Sequence, residues 1–188
     1  PYISLLPDGR RLVLSTADAA ATRGSIEQFS AKDAQRWPEF VAFMDRTAAF
    51  LDAAYRTPMP RLPHVSLAEG LPLAKLAWTL RRLGGKDMFR VIRMMSMSTV
   101  EFTEEWFESE EVRSAIAAVG IHGFTLGSMS AGTGYTLMHN WLNRGGLAHR
   151  AGGAAHIGDA LVAALKANGG ELRTSSGVKR ILVERSRA

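Results

Sequence analysis

Histidine is the residue type in this chain best suited to metal binding or proton transfer, and it occurs at His64, His122, His139, His149 and His156. No pair has the His-x-x-x-His spacing that places two ligands on one helix face, and the chain contains no Cys. The sequence therefore predicts no metal site. The absence of Cys also excludes disulfides within the chain.

Serine chemistry is only weakly indicated. The Gly-rich segment 127–132 carries Ser128 and Ser130, but it lacks the Gly-x-Ser-x-Gly order that exposes a nucleophilic serine on a strand-to-helix turn. A flexible connector is the better interpretation of these two serines. The wider stretch from Gly120 to Gly134 holds more apolar side chains than a surface loop needs, so we expect it to line an interior or a pocket.

The glycines do not predict a phosphate site. Gly152, Gly153 and Gly158 do not follow the Gly-x-Gly-x-x-Gly order, no hydrophobic strand leads into them, and the chain has no Gly-Lys-Ser/Thr motif. Taken alone, Gly152 and Gly153 indicate a tight entry into a helix.

Methionines are concentrated between positions 88 and 97, and they suit either of two roles. Their flexible side chains fill irregular gaps in a core, and they also suit a pocket for a long apolar ligand. The residues concerned are Met88, Met94, Met95 and Met97. The core is the more common role, and both interpretations stay open at this point.

Composition indicates a soluble globular protein. Hydrophobic residues make up 46% of the chain and charged residues 22%, and no apolar run reaches the length of a membrane-spanning helix. The formal net charge of +5 suggests an anionic partner. However, the basic residues are spread among acidic ones and do not alternate with aromatics, which argues against nucleic-acid binding.

The chain is expected to begin with a β-hairpin and to continue mainly as helices. Strands Tyr2–Leu6 and Arg11–Ser15 flank the turn residues Pro7, Asp8 and Gly9. Ser30 is expected to cap a long helix that Pro58 ends, with one buried face. That face holds Trp37, Val41, Met44, Ala48, Leu51 and Tyr55.

Further helices follow from periodicity and capping signals. Two apolar stripes are predicted, one at Leu73, Leu76, Ala77, Leu80 and Leu83, and one at Met88, Phe89, Val91, Ile92 and Met95. Ser98 and Ser109 are expected to cap two more helices, the second ending at Gly120. A helix over 133–142 is expected next.

The last forty residues indicate part of a larger structure. A helix is predicted to follow Gly152 and Gly153, and to end at Asn168 before strands over 171–174 and 178–183. The final strand has no partner to pair with, so its backbone groups are left without ladder hydrogen bonds. Together with a Pro rather than a Met at position 1, this leads us to expect a piece of a longer protein.

Two stretches of the chain resemble phytoene-desaturase-like flavoproteins. The sequence Leu-Pro-Asp-Gly-Arg at 6–10 resembles the start of their substrate domain. The sequence from Gly152 and Gly153 through 159–165, 169–173 and 178–183 is similar to their Gly-Gly helix and return strand. His122-Gly123-Phe124 and Gly134-Tyr135 resemble the phytoene-dehydrogenase-related branch.

The resemblance implies an α+β fold, mainly helical with a small β-sheet, taken from the middle of a flavoprotein with a Rossmann-type FAD domain. It implies a substrate-binding domain over 1–149, and over 150–188 the Gly-Gly helix and the strand returning to the FAD domain. Val178 corresponds to a position whose backbone meets the FAD adenine, and Gly152 and Gly153 to a helix entry facing flavin and substrate. His149-Arg150-Ala151 and Ala154 depart from the family pattern.

The function that follows is that of an FAD-dependent oxidoreductase that desaturates or oxidises an apolar or isoprenoid-like substrate. The isolated chain is expected to be inactive, because most of the FAD site lies elsewhere. The expected pocket comprises Phe89, Met94, Met95, Phe124, Met129 and Trp141. No catalytic acid or base is assigned.

Two alternatives stay open. The first is a non-enzymatic helical module that binds an apolar ligand or a partner protein, and the less favoured second is a basic nucleic-acid-binding domain. We expect a cytoplasmic location, with peripheral membrane contact possible because the substrate is apolar. Exposed sheet edges make a homodimer possible.

Overall fold

The computed structural model describes residues 2–15, 17–60, 66–142 and 153–183. The chain divides into two compact units, Pro1–Gly146 and Leu147–Ala188. The boundary predicted after residue 149 lies outside the described residues.

The first unit begins with the predicted β-hairpin. Strand β1 (Tyr2–Leu5) pairs antiparallel with β2 (Arg11–Leu14), with Tyr2 opposite Leu14 and Leu5 opposite Arg11. Gly9 takes a φ of 84° in the turn, which a residue with a Cβ rarely adopts. The side chain of Asp8 accepts a 2.9 Å hydrogen bond from the Arg10 amide and closes the turn.

Helices make up most of the first unit, and the described part of the second unit contains one helix. In chain order they are α1 (Ala19–Glu27), α2 (Ala31–Tyr55), α3 (Leu67–Arg81), α4 (Gly85–Ser96), α5 (Thr99–Glu104), α6 (Glu110–Ile121), α7 (Thr133–Leu142) and, in the second unit, α8 (Ala155–Ala167). The mainly helical α+β fold class predicted from sequence is confirmed.

Helix α2 is the longest helix of the first unit. Ser30 caps it, as predicted, by accepting a hydrogen bond from the Asp33 amide. Pro38 lies in its second turn, close to the start of the helix. The helix packs against α1 and α7, and α7 packs against α6.

The core of the first unit is aromatic. Phe40 lies at its centre, with ring centroids 5.3 Å from Trp106, 5.0 Å from Phe107 and 5.5 Å from Trp141. All three partners are reached edge-on, a favourable arrangement for aromatic rings. Leu12 from β2 and Ile26 from α1 are buried in the same cluster.

The two helices predicted from the apolar stripes between residues 73 and 95 are confirmed as α3 and α4, but the second stripe was only partly right. Helix α3 has no fully buried residue, and only its C-terminal end packs against the core. Helix α4 buries Val91 and Met94, whereas Phe89, Ile92 and Met95 are exposed on its other face. Apolar residues lie on both faces of α4, so their spacing alone does not show which face meets the core.

The predicted caps and the helix over 133–142 are confirmed. Ser98 and Ser109 cap α5 and α6. Helix α6 runs through Gly120 to Ile121 rather than ending at the glycine, because Gly120 lies where α5 and α7 approach closely. A Cβ at that position would collide with Thr99.

The Gly-rich segment before α7 joins that helix to the end of α4. The amides of Gly132 and Gly134 donate hydrogen bonds of 3.1 Å and 3.0 Å to the Met97 carbonyl. The expectation that 120–134 lines an interior therefore holds for the buried Gly120, Thr133 and Gly134. It does not hold for Phe124, Leu126 and Met129, which are exposed.

In the second unit, α8 ends at Asn168, as predicted, and Gly169 follows with a φ of 77°. The strands predicted over 171–174 and 178–183 were wrong. None of the described residues after Asn168 pairs in a β-ladder, and the apolar side chains there are exposed. An extended segment becomes a strand only when a neighbour supplies hydrogen bonds, and the described residues supply none.

Among the described residues, no helix has the length and apolar character needed to cross a membrane.

Candidate functional site

Three polar aromatic side chains meet on the surface of the first unit, and we call them the Tyr–His cluster. Tyr55 is the last residue of α2, and Tyr135 and His139 lie one turn apart on α7. The Tyr55 hydroxyl lies 2.6 Å from the Tyr135 hydroxyl and 2.9 Å from His139 Nδ1. The three groups form a continuous hydrogen-bonded chain between two helices.

The cluster has an aromatic border that remains open to solvent. The ring of Phe124 lies 6.3 Å from that of His139 at an angle of 78°, and the Tyr55 ring lies 5.8 Å from it at 71°. Tyr55 is 50% exposed and Phe124 43% exposed, while Tyr135 and His139 are half-buried. The cluster therefore combines hydrogen-bonding atoms with exposed apolar ring surface.

The phenol of Tyr55 is held in its protonated form. Burial, followed by the hydrogen bond to Tyr135, raises the pKa of Tyr55 to about 12. At neutral pH the cluster is therefore uncharged at Tyr55 and acts through hydrogen bonding rather than through a phenolate.

Sequence analysis missed this cluster. Tyr135 and His139 have the i, i+4 spacing that places two side chains on one helix face, and that was the only local signal. Tyr55 was assigned to the buried face of α2, but it lies at the exposed end of that face. The contact joins residues 80 positions apart, and no local pattern indicates it.

A cavity of about 300 Å³ lies against α5 and α6. Its wall is mixed, with Val100, Ala117 and Ile121 beside Glu104 and Arg113. Glu104 and Arg113 form an ion pair at 3.5 Å. Two of the three charged side chains of this cavity are thus paired with each other, and Glu110 is the third.

A larger groove of about 520 Å³ lies between the end of α2 and α3. Ala53, Pro58, Leu71 and Leu76 give it apolar walls, and Arg56 and Lys75 place positive charge at its edges. Its shape and lining suit an apolar molecule better than a small polar one.

The structure separates the six residues predicted to line a pocket. Met94 and Trp141 belong to the core, and the Trp141 indole donates a 2.9 Å hydrogen bond to Asp45. Phe89 and Met95 are exposed on α4, and Met129 is exposed in the loop before α7. None of the six lines either cavity, and Phe124 alone borders the Tyr–His cluster. Their role in a substrate pocket stays a prediction.

The predicted flavin contacts lie in the second unit. Gly153 has a φ of 77° just before α8, and no atom lies within 4 Å of the position a Cβ would take there. Val178 is 79% exposed. Gly152 lies outside the described residues. Over the described ranges, no group of three or more His, Cys, Asp or Glu side chains is arranged to hold a metal ion.

No protein-family model matches the chain, and no solved structure matches it. Among curated proteins, the chain is 28% identical over 189 aligned positions to the rat protein named pyridine nucleotide-disulfide oxidoreductase domain-containing protein 2. It is 27% identical to the mouse protein of the same name. Each alignment covers 93% of this chain and 32% of the relative, so the chain spans about a third of those proteins. The similarity supports a distant relationship to oxidoreductases.

Proposed function

We propose that this chain is the substrate-binding part of a longer FAD-dependent oxidoreductase related to phytoene dehydrogenases. The parent protein oxidises or desaturates an apolar or isoprenoid-like substrate by hydride transfer to the flavin. The observation that carries the proposal is the similarity over 93% of the chain to proteins named as oxidoreductases. The resemblance of residues 6–10 and 152–183 to flavoprotein segments supports the same assignment.

The first unit supports a role in holding substrate rather than in redox chemistry. Its core is a rigid aromatic cluster, its surface carries an apolar groove, and neither supplies a redox-active group. The chain contains no Cys, so it contributes no thiol to disulfide exchange. Its own residues can bind an apolar molecule and exclude water from it.

Two residues of the second unit have enough free space beside them for contact with a flavin. No atom lies within 4 Å of the Cβ position at Gly153, and Val178 is exposed, so both residues leave room for a ligand beside them. Gly153, Val178 and, from sequence alone, Gly152 are the residues we assign to FAD contact. When bound, FAD supplies the hydride acceptor. The chain has no Gly-x-Gly-x-x-Gly motif for the diphosphate, so we expect the isolated chain to be inactive.

The decisive experiment measures the intact mass and the visible absorption spectrum of the protein purified from its native source. A polypeptide much heavier than 20.4 kDa with flavin bands supports the proposal. A colourless protein of about that mass contradicts it and favours the non-enzymatic module that binds an apolar ligand or partner.

A second experiment tests the predicted pocket in the complete enzyme. Phe124→Ala and Met95→Ala are expected to raise the KM for the substrate, because both side chains are exposed and apolar. Met59→Ala, which removes an exposed methionine just after the end of α2 and outside the predicted pocket, is the control. Unchanged KM and kcat in both pocket variants would remove those residues from the proposal.

Three further expectations complete the proposal. They are a cytoplasmic location, peripheral membrane contact and a possible homodimer. Exposed Trp78, Phe89 and Ile92 on α3 and α4 offer apolar surface suited to the second of these.

A further inference from the structure

We propose that the Tyr–His cluster binds the hydroxyl or carbonyl oxygen of an apolar ligand, whose ring or chain packs against Phe124. The hydrogen-bond geometry of the cluster carries this inference. Only the apolar character of the ligand also rests on the function proposed above.

Tyr55 is the central link of the cluster, since its hydroxyl contacts both of the other members. It has a single proton, so it donates to at most one of these neighbours and accepts from the other or from both. When Tyr55 donates to one neighbour and accepts from the other, the directions of the two hydrogen bonds are linked.

In two arrangements of the protons, Tyr55 donates to one of its neighbours and accepts from the other. In the first, Tyr135 donates to Tyr55 and Tyr55 donates to His139 Nδ1. His139 then carries its proton on Nε2 and presents a donor, while the Tyr135 oxygen presents a lone pair. In the second, His139 Nδ1 donates to Tyr55 and Tyr55 donates to Tyr135. The Tyr135 hydroxyl is then the donor, and His139 Nε2 presents the lone pair.

Each arrangement leaves one donor and one acceptor at the two ends of the cluster. Within the described part of the chain, neither the Tyr135 hydroxyl nor His139 Nε2 has another hydrogen-bond partner. A carbonyl oxygen needs a donor, and a hydroxyl needs a donor, an acceptor or both. The cluster can meet either need by reversing its protons, without moving a heavy atom.

The apolar border completes the site. The Phe124 ring packs edge-on against His139 and remains partly exposed beside the polar atoms. An oxygen bound at the cluster places the carbon atoms attached to it against aromatic surface, and burying that surface favours binding. No Asp, Glu, Lys or Arg side chain takes part in the three contacts, which favours a neutral ligand over an ionised one.

The test compares two probes of nearly equal size in the 188-residue chain. The probes are 1-naphthol, which carries a hydroxyl, and 1-methylnaphthalene, which carries a methyl group in its place. Binding is followed by NMR through the ring carbon and proton signals of His139, assigned by their loss in His139→Gln. We expect 1-naphthol to shift these signals and to bind about fivefold more tightly than 1-methylnaphthalene, the effect of one hydrogen bond.

Two conservative variants test whether the tyrosine hydroxyls, rather than the aromatic rings, determine the binding of 1-naphthol. Tyr135→Phe removes an end of the cluster and Tyr55→Phe removes its centre, and both keep the aromatic ring. Each is expected to weaken 1-naphthol binding about fivefold and to leave 1-methylnaphthalene binding unchanged. The third tyrosine of the chain, Tyr2, lies in β1 outside the cluster, so Tyr2→Phe should bind both probes as the wild type does.

Equal affinity of the wild-type chain for both probes would overturn the proposal, as would equal 1-naphthol affinity in the wild type and Tyr135→Phe. The amide spectrum of each variant shows that it is folded, so a loss of structure is not mistaken for a loss of binding. The result is separate from the flavin measurement. A flavin-free native protein contradicts the proposed enzyme function, whereas absent probe selectivity contradicts the oxygen-binding site alone.

Discussion

Asp33 in the first turn of α2 accepts a 2.9 Å hydrogen bond from the amide of Ser109, the N-cap of α6, across 76 positions of the chain. Its second carboxylate oxygen accepts another 2.9 Å bond from the Glu108 amide. Asp33 is 1% exposed, so these bonds are made away from water. One buried side chain thus fixes the starts of two helices relative to each other.

Removing this carboxylate is expected to be costly. In Asp33→Ala the amides of Glu108 and Ser109 lose their partner inside the protein, and a buried unpaired donor carries its full desolvation penalty. We expect the free energy of unfolding to fall by about 2–4 kcal/mol, measured by urea denaturation.

Two matched variants separate this effect from a general loss of charge. Asp33→Asn keeps one carbonyl oxygen as an acceptor and should lose about half as much stability. Asp52→Ala removes an exposed carboxylate paired with Arg56 and should change stability by less than about 0.5 kcal/mol. A loss in Asp33→Ala no larger than in Asp52→Ala would show that the two amides do not depend on Asp33.

Gly134 is expected to resist even the smallest side chain. A Cβ there would collide with the Met94 carbonyl oxygen and lie 3.1 Å from that of Met97, and both belong to backbone that cannot rotate away. Gly134→Ala should lower the free energy of unfolding by about 1–3 kcal/mol, measured by thermal denaturation.

Gly70 in α3 provides the contrast. No atom lies within 4 Å of a Cβ at that position, and alanine reduces the freedom of the unfolded chain. Gly70→Ala should therefore raise stability by about 0.5–1 kcal/mol. Equal effects at the two glycines would mean that α4 and α7 are less closely packed than the hydrogen bonds of Gly132 and Gly134 indicate.

Tyr55 should make folding stability sensitive to high pH. Its pKa is about 12 in the folded chain against 10.0 for an ordinary tyrosine, so folding favours the protonated phenol. The associated stability is fully present below pH 10 and is lost as the pH rises through 12. Urea denaturation between pH 10 and 12 should show a smaller loss of stability in Tyr55→Phe than in the wild-type chain.

The hydrogen bond to Tyr135 is one cause of the raised pKa of Tyr55, and a second variant tests its contribution. Tyr135→Phe removes the hydrogen bond to Tyr55 and should move the ionisation of Tyr55 to lower pH, while burial still keeps it above the ordinary value. A Tyr55 titration that is unchanged in Tyr135→Phe would show that the hydrogen bond does not contribute.

Truncating a buried and an exposed side chain of α4 should have very different effects on stability. Met94→Ala opens a cavity in the aromatic core and should cost about 2–5 kcal/mol of stability. Phe89→Ala on the exposed face of the same helix should change stability by less than about 0.5 kcal/mol, because that side chain is 63% exposed. Urea denaturation of both variants measures the difference. Similar losses would indicate that the exposed face of α4 is packed in solution.

The sequence predicted hydrogen bonds between residues close together in the chain, such as helix caps, but it did not predict contacts between distant residues. The caps at Ser30, Ser98 and Ser109 depend on residues within three positions, and all three are confirmed. Helix α4 shows where periodicity fails, since apolar residues lie on both of its faces and only the folded core selects Met94 over Phe89. The strands predicted after Asn168 failed because alternation cannot supply a pairing partner.

The candidate site shows the same division. Phe124 was selected from sequence and does border the Tyr–His cluster, whereas Tyr55 and Tyr135 were not selected as site residues. Their contact depends on α2 and α7 packing side by side, which is decided by the whole core.

Helix α3 has a consequence for how this protein can evolve. Asp33 and Ser109 close a long loop of chain, and α3 lies within that loop without burying a single side chain. The entropy of closing such a loop rises only slowly with its length, so insertions or deletions around α3 cost little stability. Natural variation in length should therefore concentrate between the end of α2 and the start of α4, where the chain can change its surface while leaving its core intact.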